Sequence, residues 1–238
     1  MRRRFASALV LFAHPDDAEF ACGGTVATWA EQGCEVHYAV LTDGSAGSNE
    51  PGAVREEVAR VRESEQREAA RILGVQSITF LGEIDGHLEV TLDTRRMVCR
   101  LVRRFRPEVL VFPDPSRLWS GEGSINHWDH KQAGILGLTV VMPDAPSRPM
   151  FPDLLAEGYE PYEVPNVYLM GTDEPDTFVD ISDTFDRKVQ ALAAHASQGT
   201  ERLVPWIRER AEKAAAQAGD GVRYAEAFKA FRLVDDES

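Results

Sequence analysis

The chain has 238 residues, 43% of them apolar, which suits one large domain with a substantial core. Its formal charge of −13 argues against nucleic acid or anionic membrane as main partners, because phosphate binding needs a basic face. No segment approaches the ~20 apolar residues of a membrane span, and Cys22, Cys34 and Cys99 lack paired or metal-type spacing, which points to buried thiols in a reducing cytoplasm.

Residues 7–12 read as a buried strand. The basic start from Met1 to Arg4 imitates a secretion signal. The apolar stretch behind it is short, however, and runs straight into His14 with no cleavage site, so a first core strand is the better reading. Residues 18–32 are helical, with Pro15 and Asp16 near the start and Gly33 as the stop. Residues 36–41 form a second strand, 42–52 a Gly/Ser/Asn loop, and 53–73 a long Arg/Glu-rich helix ended by Gly74. Residues 77–81 read as a strand, 92–105 as a helix, and 109–112 as an apolar strand behind Pro107. This order predicts an α/β fold, Rossmann-like, with a mostly parallel sheet and helices on both faces. Residues 113–126 are rich in Pro, Gly and Ser, and 129–141 are helical. Six prolines fall between Met142 and Pro165, too many for regular elements, so 142–165 is expected to be an irregular lid or wall. Residues 166–170 and 177–181 look like a closing pair of strands, and 183–197 and 201–217 like helices, before a short acidic tail. One domain over 1–238 is expected, with specificity residing in 113–126 and 142–165.

Chemistry concentrates in two places. Ala13-His14-Pro15-Asp16-Asp17-Ala18-Glu19 puts an imidazole and three carboxylates directly behind the first strand. Asn126-His127-Trp128-Asp129-His130 follows the strand at 109–112 after a loop. Open α/β sheets bind ligands at the carboxyl ends of their strands, so the two clusters can converge. His and carboxylate without thiolate suit a catalytic zinc, with three protein ligands and a place for water. Such a site also needs a nearby carboxylate that does not ligate the ion, to take the proton from that water. His14 and Asp17 are spaced to share one side of a helical turn. Asp16, between them, points elsewhere, toward the water. His127 and His130 have the same spacing, and either can complete the metal site while the other faces a substrate oxygen. Taken singly, each cluster has a plain alternative: Asp16 or Asp17 as a helix cap, and the second cluster as a solvated loop. Their joint occurrence at equivalent strand ends favours the metal site. Gly23-Gly24 is not a nucleotide fingerprint and reads as close packing of the first helix. Trp119, Trp128, Tyr159 and Tyr162 can stack on a sugar, although lid aromatics usually just pack. His195 reads as a residue tying the C-terminal region to the pocket.

The first cluster, with Gly23-Gly24, closely resembles the AHPDDxE…GG signature of the N-acetylglucosaminyl-phosphatidylinositol deacetylase family (PIG-L, or LmbE-like), and His127-Trp128-Asp129-His130 resembles its HPDH motif. Leu41-Thr42-Asp43-Gly44, Arg62-Glu63-Ser64-Glu65, Leu73-Gly74-Val75 and His195-Ala196-Ser197-Gln198 extend the likeness over residues 7 to 198. Trp128 departs from the usual Pro and leaves the aim of His127 open. The resemblance implies zinc-dependent hydrolysis of an N-acyl amide, commonly the acetamide of an amino sugar. It makes His14, Asp17 and His130 the metal ligands and Asp16 the general base on metal-bound water. It sets His127 at the oxyanion or as proton donor, Asp129 as the partner that orients a His, and Arg62 as a substrate contact, against the alternative of a solvated helix face. One Zn2+ per chain is expected, although the donor set also suits Fe2+, Co2+ or Ni2+. The expected partner is a small N-acylated amino sugar or glycoconjugate. A homo-oligomer is compatible with lids completed by a neighbouring copy. A thioether-conjugate amidase and a non-catalytic α/β module that keeps a metal are the competing readings. The free carboxylate of Asp16 speaks against the module.

Overall fold

The structure is a computed structural model describing residues 3–119 and 123–234. Within these, Ser7–Phe12 (β1), Glu35–Thr42 (β2), Ser77–Glu83 (β3), Val109–Pro113 (β4) and Asn166–Met170 (β5) form the parallel part of a seven-stranded sheet. Its order is β3-β2-β1-β4-β5, then Ala225–Arg232 (β7), then Thr177–Asp180 (β6). The helices are Asp17–Glu31 (α1), Arg55–Leu73 (α2), Leu92–Phe105 (α3), Trp128–Thr139 (α4), Pro152–Ala156 (α5), Phe185–Ala193 (α6) and Val204–Ala218 (α7).

Strand β1 is buried on both faces because its side chains alternate between two cores. Ala8, Val10 and Phe12 pack with the helices α1 and α2, while Leu9 and Leu11 pack with α3 and α4. The strand lies between β2 and β4 and pairs in parallel with both. The chain winds outward in one direction through β2 and β3, then returns to start the other half at β4. The carboxyl ends of β1 and β4 therefore flank the point where the sheet order reverses, the usual ligand crevice of such folds.

Three expectations need correction. The closing strands are not a pair, because β7 lies between β5 and β6 and runs antiparallel to both. The helix expected to run to residue 197 stops at Ala193, and His195 follows in an irregular turn. Residues 142–165 are not wholly irregular, since they contain α5. Arg103 on α3 fixes this segment by donating to the carbonyls of Asp144, Ala145, Ser147 and Met150, at 2.8 to 3.1 Å. Residues 120–122 of the 113–126 segment, Met1, Arg2 and the acidic tail lie outside the described residues. Cys22, Cys34 and Cys99 are buried free thiols. Among the described residues, no helix is long and apolar enough to cross a membrane.

Helix α1 is seated by a buried ion pair. Glu226 of β7 accepts from the amides of Gly24 and Thr25 and from Lys188 of α6, which also donates to the Phe20 carbonyl. Gly24 is required there, because a Cβ would lie 2.6 Å from Ile181. The close packing expected of Gly23-Gly24 is thus against the residue following β6.

Candidate metal centre and active site

The chain leaves β1 at Phe12 and turns sharply before α1. Asp16 carries the turn with φ of 105°, a left-handed conformation that costs a non-glycine residue ~1–3 kcal/mol. Asp16 precedes α1 but its side chain caps nothing. Its amide is held by Gln66 Oε1 at 2.9 Å. This turn throws Asp16 and Asp17 to different sides, so adjacent carboxylates have different neighbours.

His14, Asp17 and His130 meet at one place. His14 Nδ1 lies 3.3 Å from His130 Nε2 and 3.5 Å from Asp17 Oδ2, and Asp17 Oδ1 lies 3.0 Å from His130 Nε2. Donor atoms around a tetrahedral ion at ~2.0–2.2 Å are roughly 3.3–3.6 Å apart, so this triad fits a small divalent ion. Electrostatics agrees. Burial opposes charge on both rings, yet Asp129, Asp17 and Asp85 raise His14 well above the usual imidazole range, and Asp17 raises His130. Burial likewise opposes charge on Asp17, but His130 and His14 hold it well below the ordinary carboxylate range. The cluster favours positive charge at its centre.

The opposite nitrogen of His14 is also engaged. Nε2 lies 3.2 Å from Asp129 Oδ2 and 3.1 Å from Asp85 Oδ1. Asp129 is fully buried and accepts from the amides of Gly86 at 2.7 Å and Leu88 at 3.3 Å, so its carboxylate is a fixed acceptor. It places the His14 proton on Nε2 and turns the Nδ1 lone pair to the triad. His14, Asp85 and His127 form a second group compact enough for an ion. Because that group would need the nitrogen that Asp129 occupies, the first triad is the better site.

Asp16 sits beside the triad without joining it. Burial and the charge of Asp17 raise its pKa to about 7, against the pull of Arg62, whose Nη2 is 3.2 Å from Oδ2. A carboxylate poised near neutrality is suited to accept and return a proton. Arg62 itself is 4% exposed and also donates to the carbonyls of Gly44 and Pro15. It is no solvated helix face: it is locked against the turn that carries Asp16. Gly44, with φ of 66°, makes room, since a Cβ there would lie 2.9 Å from the guanidinium.

His127 precedes α4 and accepts the Asp129 amide on Nδ1 at 3.2 Å. That bond assigns its proton to Nε2. Burial, then the charges of His14 and His130, lower its pKa, and Asp129 spends its carboxylate on His14. His127 is therefore a neutral N–H donor whose tautomer the Asp129 amide fixes. Trp128, in place of the usual Pro, is 55% exposed and donates its indole N–H to the Leu88 carbonyl at 3.1 Å, which anchors the start of α4.

His195 is fully buried with Nε2 3.3 Å from Glu19, whose other oxygen accepts from Gln66. Ser197 donates to Glu65 through both its amide and its hydroxyl. The Arg62-Glu63-Ser64-Glu65 and His195-Ala196-Ser197-Gln198 segments noted in the sequence are thus joined to each other.

A cleft of about 360 Å³ opens on Asp17, His127 and His130. Asp114, Arg117, Ile125 and Asn126 of the 113–126 segment line it, with Arg210 of α7, whereas nothing from 142–165 does. Tyr162 packs away from it, donating to the Pro107 carbonyl. Sequence reasoning missed Asp85, Arg117 and Arg210. Asp85 was findable, because it closely follows the carboxyl end of a parallel strand, β3, where open α/β sheets place their ligands. The two arginines carry no local signal.

Residues 9–141 match the family model described as PIG-L, GlcNAc-PI de-N-acetylase. The chain belongs to this family. The diacetylchitobiose deacetylase of Thermococcus kodakarensis is 34% identical over 222 residues, which cover 91% of this chain and 79% of that protein. The N,N'-diacetylchitobiose deacetylase of Pyrococcus horikoshii, solved with an inhibitor, superposes with a TM-score of 0.86 at 29% identity, covering 96% of this chain and 84% of that one. The 4-carboxy-2-hydroxymuconate hydratase of Pseudomonas putida superposes with a TM-score of 0.80 at 26% identity, covering 98% and 99%. One fold thus carries both amide hydrolysis and water addition among these relatives.

Proposed function

We propose that the protein is a zinc-dependent deacetylase that hydrolyses the N-acetyl amide of an amino sugar or its conjugate. The observation that carries this reading is Asp16, a carboxylate with a pKa near 7 that stands beside a His14–Asp17–His130 triad without joining it. These three residues would hold a divalent ion, which would supply Lewis acidity for the amide carbonyl and for water. Asp16 takes one proton from the attacking water. As negative charge gathers on the carbonyl oxygen, the Nε2–H of His127 donates to it. Asp16 returns its proton to the leaving nitrogen, so water and amide become acetate and free amine. Asp129 keeps His14 in the tautomer the triad needs, and Arg62 holds Asp16 in its strained turn.

The test is a screen of N-acetylated amino sugars and glycosides with zinc-loaded protein, following free amine and acetate together. Stoichiometric release of both is expected. The likeness to the Pseudomonas hydratase supports one other reading, addition of water to a carbon–carbon double bond. Loss of absorbance from an unsaturated polycarboxylate, with no amine released from any amide, would replace the first reading by the second.

A further inference from the structure

The cleft that opens on the triad carries two arginines, in a chain that is acidic as a whole. Arg117, from the loop between β4 and α4, and Arg210, from α7, both line it. Arg210 has no ion-pair partner among the described residues, and its guanidinium lies 4.8 Å from the centre of the Trp206 ring. Arg117 touches one carboxylate, Asp173 at 3.1 Å, which is 65% exposed, so the pair is weak. The other carboxylates nearby are committed. Asp114 accepts from the amide and hydroxyl of Ser116 at 2.9 and 2.6 Å, and Glu226 is taken by Lys188 and two amides of α1. Phe20, Ala21, Ile125 and Met170 supply the apolar part of the lining. The charge of Arg117 acts against that of Arg210. Two like charges lining one cleft repel each other, and an anion between them relieves that repulsion. The guanidinium fork suits carboxylate and phosphate oxygens.

We propose that Arg117 and Arg210 form a subsite for an oxyanion, a carboxylate or a phosphate, carried on the aglycone of the amino sugar. The amide end of the substrate lies at His14, Asp17 and His130, and its charged end at the arginines. The loop holding Arg117 is tied to the triad, because Asn126 donates to the Arg117 carbonyl at 3.0 Å while its Oδ1 lies 3.2 Å from His130 Nδ1. In a chain of charge −13, two arginines on one cleft give the anionic end of a substrate one place to bind. The inference rests on the deacetylase reading for the orientation of the ligand.

Titration calorimetry on zinc-loaded protein tests it with deacetylated ligands, so that binding is read without turnover. The probes are methyl glucosaminide, glucosamine 1-phosphate and the carboxymethyl glycoside of glucosamine. At least one anionic ligand should bind tenfold or more tightly than the neutral glycoside, and the comparison of the two separates phosphate from carboxylate. Arg210→Gln, on an exposed helix face, and Arg117→Gln should each remove most of that preference. Equal affinity for all three ligands would overturn the proposal. So would a preference that survives both replacements, because the anion would then be bound at the metal. Failure of every acetylated substrate to release amine would count against the deacetylase reading, while the preference itself is still measured here.

Discussion

Replacing Arg62 by Met separates its effect on Asp16 from any direct hold on substrate. The guanidinium lies 3.2 Å from Asp16 Oδ2 and pulls its pKa down, while burial and Asp17 push it up, with a result of about 7. An adjacent arginine lowers a carboxylate by ~1–3 units. Taking ~1–2 units for a pair already offset by neighbouring charges, the variant moves the acid limb of kcat/KM upward by that amount, at ~1.4 kcal/mol per unit. The sign is that of a base: the ionised form is the active one, so activity is lost at low pH and returns as pH rises. At neutral pH the ionised share of Asp16 drops from roughly half to roughly 1–10%, a rate loss of about 5–50-fold. Because the shift is a difference between two proteins, it holds wherever the limb begins when metal is bound. Gly44 and Pro15 also lose a donor to their carbonyls, which costs ~1–3 kcal/mol each if water does not replace it, so thermal melts must accompany the kinetics. The assay is amine release from pH 5 to 10. An acid limb that stays in place while KM rises would refute the argument and make Arg62 a substrate contact.

Asp16→Asn should keep its metal by elemental analysis and lose ~10²–10⁴-fold in turnover; near-native turnover would remove Asp16 from the mechanism. The two histidines of the second cluster should part company. His130→Ala should lose metal and activity together, whereas His127→Ala should keep metal and lose ~10²–10³-fold, mainly in kcat; the reverse pattern exchanges their roles. His195 is opposed by burial, yet Glu19 raises its pKa above 6.5. The stability it adds is therefore present below pH ~6.5 and fades as pH rises through the folded value. His195→Gln should lower Tm more at pH 5.5 than at pH 9, and a Tm difference independent of pH would show that the pair carries no charge.

Much of this architecture was legible because strands buried on both faces leave continuous apolar runs, and β1, β2, β4 and β5 do so. Strand β7 was not, since Glu226, Lys229 and Arg232 recur at helix-like spacing through an alanine-rich stretch. Its assignment as a strand comes from pairing with β5 and β6, which is a property of the sheet and not of the segment. The two His clusters could be read as converging because parallel topology brings the ends of β1 and β4 together. The aim of each ring could not be read, because it depends on Asp129 choosing His14 over His127. The 142–165 segment looked like a lid from its prolines alone. Arg103 docks it on α3, and that pairing spans residues too far apart for local pattern to show.

The seating of α1 on Glu226 and Lys188 has a consequence for how the protein comes into being. The ligand-bearing turn is among the first parts of the chain to be synthesised, and β7 among the last. Until β7 slides between β5 and β6, Glu226 is not under α1, the Gly24 and Thr25 amides lack their acceptor, and Lys188 has no countercharge. The helix that aims Asp17 is therefore not fixed while the chain is still growing. The mutual spacing of His14, Asp17 and His130 is therefore a property of the finished chain and not of the segment that carries the first two.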